Sequence, residues 1–167
     1  MRRVVNVLSD AADEEWIARR DALLRLALLL IGNRSAAEDA AAEAMTRYVV
    51  VRRRQVINDP DAYLRRTLLN GIIGRGRRSY IEQRHAFRLS RTDEQPDPTA
   101  ALADSDRLWT ALQQLPARQR ATLVLRFYED RSETETGLLL GMPPGTVKSN
   151  VSRGLAALRT ALGEGDE

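Results

Sequence analysis

A helix start at Ser132, a glycine at 141 and a second helix start at Pro144 restrict residues 132–159 to one arrangement: short helix, tight turn, longer helix. Ser132 with Glu135 forms a capping box, S-x-x-E, in which each side chain accepts a hydrogen bond from the other residue's free backbone N–H. Gly141 supplies the positive φ that a sharp turn needs, and Pro144 suits the first helical position, where the missing N–H costs nothing. The spacing therefore predicts helices over 132–140 and from 144 onward, joined by Gly141-Met142-Pro143.

In the second of these helices Val147, Val151, Leu155 and Leu158 form an inward stripe, with Lys148, Ser149, Ser152 and Arg153 outside it. A helix-turn-helix sends the first residues of its second helix into the major groove of DNA, which makes Lys148, Ser149, Asn150 and Arg153 candidate contacts. Arg153 could pair bidentately with guanine and Asn150 with adenine, while Thr146 and Ser149 could hold phosphate near the helix N-terminus. The plainer reading, a solvated helix face, leaves the glycine turn, the proline start and the basic residues at this spacing as coincidences.

Elsewhere the apolar positions also recur at helical spacing. Trp16, Ile17, Leu23, Leu24, Ala27, Leu28 and Ile31 predict a helix over 13–31, ended by Gly32-Asn33. Ser35 with Glu38 repeats the capping-box pattern and predicts a second helix from there through Met45 and Tyr48 towards Arg52. Asp59 and Pro60 read as N-cap and first residue of a third, running through Tyr63, Leu64, Leu68 and Ile72. Gly71, Gly74 and Gly76 weaken its middle, at roughly 1 kcal/mol each relative to alanine. A fourth helix is predicted over Asp104–Leu115. A fifth opens at Pro116, with Leu123, Val124, Phe127 and Tyr128 as its apolar face, and stops at Glu129-Asp130. No strand pattern is present, so the expected fold class is all-α.

Charge divides these helices into two groups. Residues 1–92 carry 18 arginines against 11 acids, whereas 93–106 carry five acids, no base, and the prolines 96 and 98. That pattern predicts two small helical domains, 1–91 and 104–167, joined by a flexible acidic linker over 92–103. A sequence pI of about 9.8 favours an anionic partner. The absence of cysteine excludes disulfides and thiol catalysis, and His85 is the sole histidine, so no histidine pair can build a proton relay or a metal site. Glu129, Asp130, Glu133 and Glu135 read as caps and a solvated face. No catalytic residue, metal or cofactor is expected, and the chain reads as a non-enzyme. The longest apolar run, Leu26–Ile31, is far below the roughly 20 residues of a membrane span, so a soluble cytoplasmic protein without a membrane partner is expected.

Leu115-Pro116-Ala117-Arg118-Gln119-Arg120, Leu125-Arg126-Phe127-Tyr128-Glu129-Asp130, Gly145-Thr146-Val147-Lys148-Ser149 and Ser152-Arg153-Gly154-Leu155 together resemble region four of extracytoplasmic-function (ECF) sigma factors. These belong to the sigma-70 family of bacterial RNA polymerase. Leu23-Leu24-Arg25-Leu26-Ala27, Ala37-Glu38-Asp39 and Asp59-Pro60-Asp61-Ala62-Tyr63-Leu64-Arg65-Arg66 are similar to region two, so the likeness, to the actinobacterial SigE-type group, spans nearly the whole chain. The resemblance implies a sigma factor that binds core RNA polymerase through the beta-prime clamp helices and the beta flap. Region two would read the minus-10 promoter element and region four the minus-35 element, with an anti-sigma factor as a further partner. It implies polymerase contacts at Asp39, Glu43 and Met45; minus-10 contacts at Tyr63, Arg66, Asn70, Arg75, Arg77 and Arg78; and minus-35 contacts at Thr146, Lys148, Ser149, Asn150, Ser152 and Arg153.

The chain departs from the family at Asn150, often arginine; at Gly76, often tryptophan; and at Ala40-Ala41-Ala42, usually larger apolar and glutamine side chains. Tyr63 and Tyr80 are the remaining candidates for stacking on single-stranded bases, Tyr63 being equally a core candidate. Two rival expectations follow. One is a sigma-like DNA-binding regulator that has lost core binding, and the other is a helical interaction module for an anti-sigma-like partner with no salt-dependent DNA affinity.

Overall fold

The computed structural model describes the backbone of residues 2–86 and 100–163 and the side chains of 14–74 and 106–163. All its regular elements are helices: α1 Arg2–Ile31, α2 Arg34–Arg52, α3 Pro60–Ala86, α4 Ala100–Gln114, α5 Ala117–Leu123 running on as a π-helical turn Val124–Tyr128, α6 Glu133–Leu140 and α7 Pro144–Leu162. The all-α expectation holds. Two compact units divide the chain, residues 1–68 and 69–167, with the division inside α3. Residues 92–99 of the expected linker lie outside the described residues. Its remainder, 100–103, belongs to α4, which begins before the predicted Asp104 because Ala100, Ala101, Leu102 and Ala103 are strong helix formers.

In the first unit α1 packs along α2. Leu23, Leu26, Ala27 and Leu30 point inward from α1 at spacings of three, one and three, and Ala37, Ala40, Ala41, Ala44 and Tyr48 answer from α2. The alanine face lets the two backbones approach closely, and the wide stripe leaves Ile17, expected inside, 53% exposed. α1 also extends back to Arg2, well before the predicted Asp13, through residues that include neither glycine nor proline.

The start of α2 differs from the expected capping box. Gly32, at φ 76°, turns the chain so that Asn33 lies extended and its Oδ1 accepts the Ala36 N–H at 2.9 Å. Ser35 is thereby inside the helix, and Glu38 pairs with Arg34 at 3.0 Å instead of reaching a cap. The start of α3 is as predicted: Asp59 Oδ1 accepts the Ala62 N–H at 2.9 Å. Arg19 of α1 braces that end through Asp61 at 3.2 Å.

In the second unit α7 packs on α4, α5 and α6. A Cβ on Gly154 would stand 2.9 Å from Leu123 Cδ1, so the absent side chain is what lets α7 close on α5. Arg107 of α4 donates to the Leu162 carbonyl at 3.2 Å, and Arg120 of α5 donates from Nη1 to Gln113 O and Oε1 at 2.8 and 2.7 Å. Burial pushes the Arg120 guanidinium below its ordinary pKa. The π-helical turn rotates the residues after Leu123 away from an α-helical register. Leu125 is fully buried there, whereas Phe127, expected on the apolar face, is 63% exposed, and Tyr128 is exposed with it.

Two substitutions should move stability in opposite directions. Leu26→Ala opens a cavity in a fully buried site and is expected to cost about 2 to 5 kcal/mol. Gly74→Ala, where a Cβ meets nothing within 4 Å in the helix, should stabilise by about 0.5 to 1 kcal/mol. Urea denaturation of the two variants checks both signs.

Candidate nucleic-acid interface

The helix-turn-helix is built by local hydrogen bonding. Glu135 N–H donates to Ser132 Oγ at 3.1 Å and Ser132 N–H donates to the Glu135 carboxylate at 2.8 Å, completing the predicted capping box. Hydrogen bonding to the carboxylate from Ser132, its hydroxyl first and its backbone N–H second, holds the Glu135 carboxyl below its ordinary pKa, with Arg131 adding to the effect. Gly141 is left-handed at φ 64°, as expected, and Met142 N–H returns to the Gly137 carbonyl at 3.0 Å. Pro143 then caps α7, its carbonyl accepting from Thr146 and Val147 at 2.9 and 3.1 Å, and Pro144 takes the first turn.

α7 presents Thr146, Lys148, Ser149, Ser152 and Arg153 to solvent. These five predicted contacts share an exposed face that begins at the positive end of the helix dipole. Asn150 is the exception. It is 7% exposed, on an inward line with Val147 and Gly154, while Val151, Leu155 and Leu158 flank that line half-buried. Its amide donates to Met142 Sδ at 3.6 Å, and its Oδ1 accepts from Arg153 at 3.4 Å. The expected adenine contact of Asn150 is therefore corrected: the amide is committed to protein partners. The sequence signal for Met142 as an anchor is a polar residue at i+3 from Val147 and i−4 from Gly154, on the buried line of α7.

In the first unit, Asp39 is exposed on α2 and Glu43 is half-buried, bonded to Arg47 at 2.6 Å. Met45 is 7% exposed and belongs to the core, contrary to its expected outward role, because it falls on the same stripe as Ala41 and Tyr48. Only its edge reaches a groove of about 440 Å³ whose lining includes Trp16, Arg20, Leu24, Asp39 and Ala42. Tyr63 sits in a ring cluster, 6.0 Å from Tyr48, which is 5.8 Å from Trp16, and Arg52 lies over both Trp16 and Tyr48. Packing thus accounts for Tyr63. Arg66 and Asn70 are exposed on α3. The side chains of Arg75, Arg77, Arg78, Tyr80 and His85 lie outside the described residues. Among the described residues no group of His, Cys, Asp and Glu could hold a metal, and no helix is long and apolar enough to cross a membrane.

Residues 105–158, the helix-turn-helix and the helices it packs on, match the family model of sigma-70 region 4. Over 153 residues the chain is 33% identical to the ECF RNA polymerase sigma factor SigL of Mycobacterium tuberculosis, covering 85% of this chain and 83% of that one. It is 37% identical over 153 residues to the RNA polymerase sigma-E factor of Streptomyces coelicolor, covering 89% and 85%. This chain belongs to the ECF sigma factors. The fold agrees: the sigma factor RpoE of Bartonella quintana, solved in complex with the anti-sigma factor NepR, superposes with a TM-score of 0.70 at 22% identity, over 92% of this chain and 97% of that one. In this sigma factor the region 4 match begins within α4 and ends within α7, so it takes in α5, α6 and most of α4, on which α7 packs.

The capping box of this sigma factor makes a pH-dependent prediction. Glu135→Gln removes a group whose folded pKa is lowered, so the wild-type advantage is complete above the ordinary carboxyl value of about 4.3. That advantage is lost as pH falls through the depressed folded value. Melting temperatures of the two proteins should differ at neutral pH and converge in acid. Ser132→Ala should cost about 1 kcal/mol at neutral pH.

Proposed function

We propose that this ECF sigma factor joins core RNA polymerase and directs it to promoters, with residues 104–167 reading the minus-35 element and residues 1–91 the minus-10 element across the 92–103 linker. The observation that carries the reading is the exposed polar and basic face of α7, held behind a turn fixed by Gly137, Gly141 and Pro143. Arg153 reads a base edge, Lys148 neutralises phosphate, and Thr146, Ser149 and Ser152 supply hydroxyls along the same face.

For region two, the exposed Asp39 and the Glu43–Arg47 pair form the surface offered to the clamp helices, and Met45 supports that surface from beneath. The exposed Arg53 and Arg54, with Arg66 and Asn70 on α3, face the opened strand; Arg75, Arg77 and Arg78 continue that basic track in the sequence. Region four also docks on the beta flap. Polymerase supplies the chemistry, in the cytoplasm, and this chain supplies no catalytic group. An anti-sigma factor is the class of partner proposed for its regulation, by analogy with the RpoE structure.

Run-off transcription with core polymerase on promoter-bearing DNA tests the proposal: a promoter-specific product that requires this chain is expected, and its absence from every cognate template would refute it. Arg153→Ala should cost about 1 to 3 kcal/mol and relax preference at one base pair. Lys148→Ala should weaken binding to all sequences alike and reduce the log–log salt slope by about one.

A further inference from the structure

A side-chain amide as buried as that of Asn150 is costly unless both of its ends are partnered. Here both ends are. Nδ2 reaches the Met142 thioether in the helix-turn-helix turn, and Oδ1 reaches Nη2 of Arg153. Arg153 makes two more bonds to its own helix: Nε donates to the Ser149 carbonyl at 3.2 Å and Nη2 to Ser149 Oγ at 3.5 Å. The Nε–Nη2 edge of the guanidinium is thus turned towards protein. Nη1 has no hydrogen-bond partner among the described residues, so the end of the guanidinium that carries it is left for a ligand.

A free arginine on a helix surface loses side-chain entropy when it is fixed, and that loss weakens any contact it makes with a base. Acceptors that already narrow its rotamers reduce the loss on binding. They also decide which edge remains available. The Nη1–Nη2 end matches the O6 and N7 acceptors of guanine in the major groove. Ser149 alone cannot set this orientation, because its hydroxyl is itself exposed and bonded to Thr146 O. Asn150 is anchored to the turn and can.

We propose that Asn150 is a positioning residue for specificity: tied to Met142, it orients the Arg153 guanidinium so that its Nη1–Nη2 end meets a guanine of the minus-35 duplex, while Asn150 itself touches no DNA. The inference rests on the reading of α7 as the recognition helix.

The test uses the full-length chain assembled with core RNA polymerase and selected on a duplex library randomised across the minus-35 region. Arg153→Ala should lower preference at one base pair by about tenfold or more. Asn150→Ala should flatten the same base pair and no other, and the double variant should lose nothing further at that position. Asn150→Asp keeps an oxygen acceptor for Arg153 but gives up the donor to Met142. The charge-assisted pair with Arg153 takes over from the lost anchor, so the variant should restore the preference to within about threefold of wild type, even if the melting temperature falls.

Retention of the preference in Asn150→Ala would overturn the proposal. So would a loss spread evenly over all positions in step with melting temperature, or an Asn150→Asp protein as unselective as Asn150→Ala. If wild type enriches sequences but Arg153→Ala changes nothing, the positioning role alone fails. If wild type enriches no sequence at all, the DNA reading of α7 fails and the role with it.

Discussion

The close approach of α6 to the turn that follows it decides where α7 points. A Cβ on Gly137 would stand 2.6 Å from the Met142 carbonyl oxygen, a backbone atom that cannot step aside, and 3.6 Å from the buried Val147 side chain. The missing side chain therefore permits the close return of the turn onto α6, where Met142 N–H bonds to Gly137 O and the buried Val147 lies within ordinary contact distance. Once Val147 is seated, helical geometry fixes the exposed direction of Lys148, Ser149, Ser152 and Arg153. Specific recognition needs that rigidity, since a base contact is lost by a misplacement of about an ångström.

The first unit solves a different problem with a similar device. Small residues at Ala37, Ala40, Ala41 and Ala44 bring α2 against α1, and the leucines of α1 fill the remaining space. The consequence is a clean division of α2, with its apolar side used up in packing and its acidic side outward at Asp39 and Glu43. Of the alanine run that departs from the family pattern, Ala40 and Ala41 belong to the packing face, and Ala42 is exposed. Around the other end, Trp16, Tyr48 and Tyr63 form a ring cluster under Arg52 that sets the base from which residues 53–59 leave α2.

Features encoded by backbone chemistry were legible in the sequence. Ser132 with Glu135, Gly141, Pro144 and Asp59 with Pro60 each act within four residues, so their local meaning survives any tertiary context. Features that depend on choosing between neighbours were not. Asn33 and Ser35 are both good caps, and only the positive φ of Gly32 selects Asn33. An α-helical period carried past Leu123 puts Phe127 and Tyr128 inside, and the π-helical turn puts them outside. Family likeness points Met45 outward, and a place in the second helix of a helix-turn-helix does the same for Asn150. Burial of Asn150 becomes intelligible only once Met142 and Arg153 are seen on either side of its amide.

Site-directed photo-crosslinking tests the orientation of α7 most directly. A photo-reactive amino acid in place of Ser149 in the full chain, assembled with core polymerase on promoter DNA, should crosslink to duplex in the minus-35 region. The same group in place of Thr110, on α4, should not. Crosslinks from both positions alike, or none from 149 while the complex still initiates at the promoter, would contradict the account.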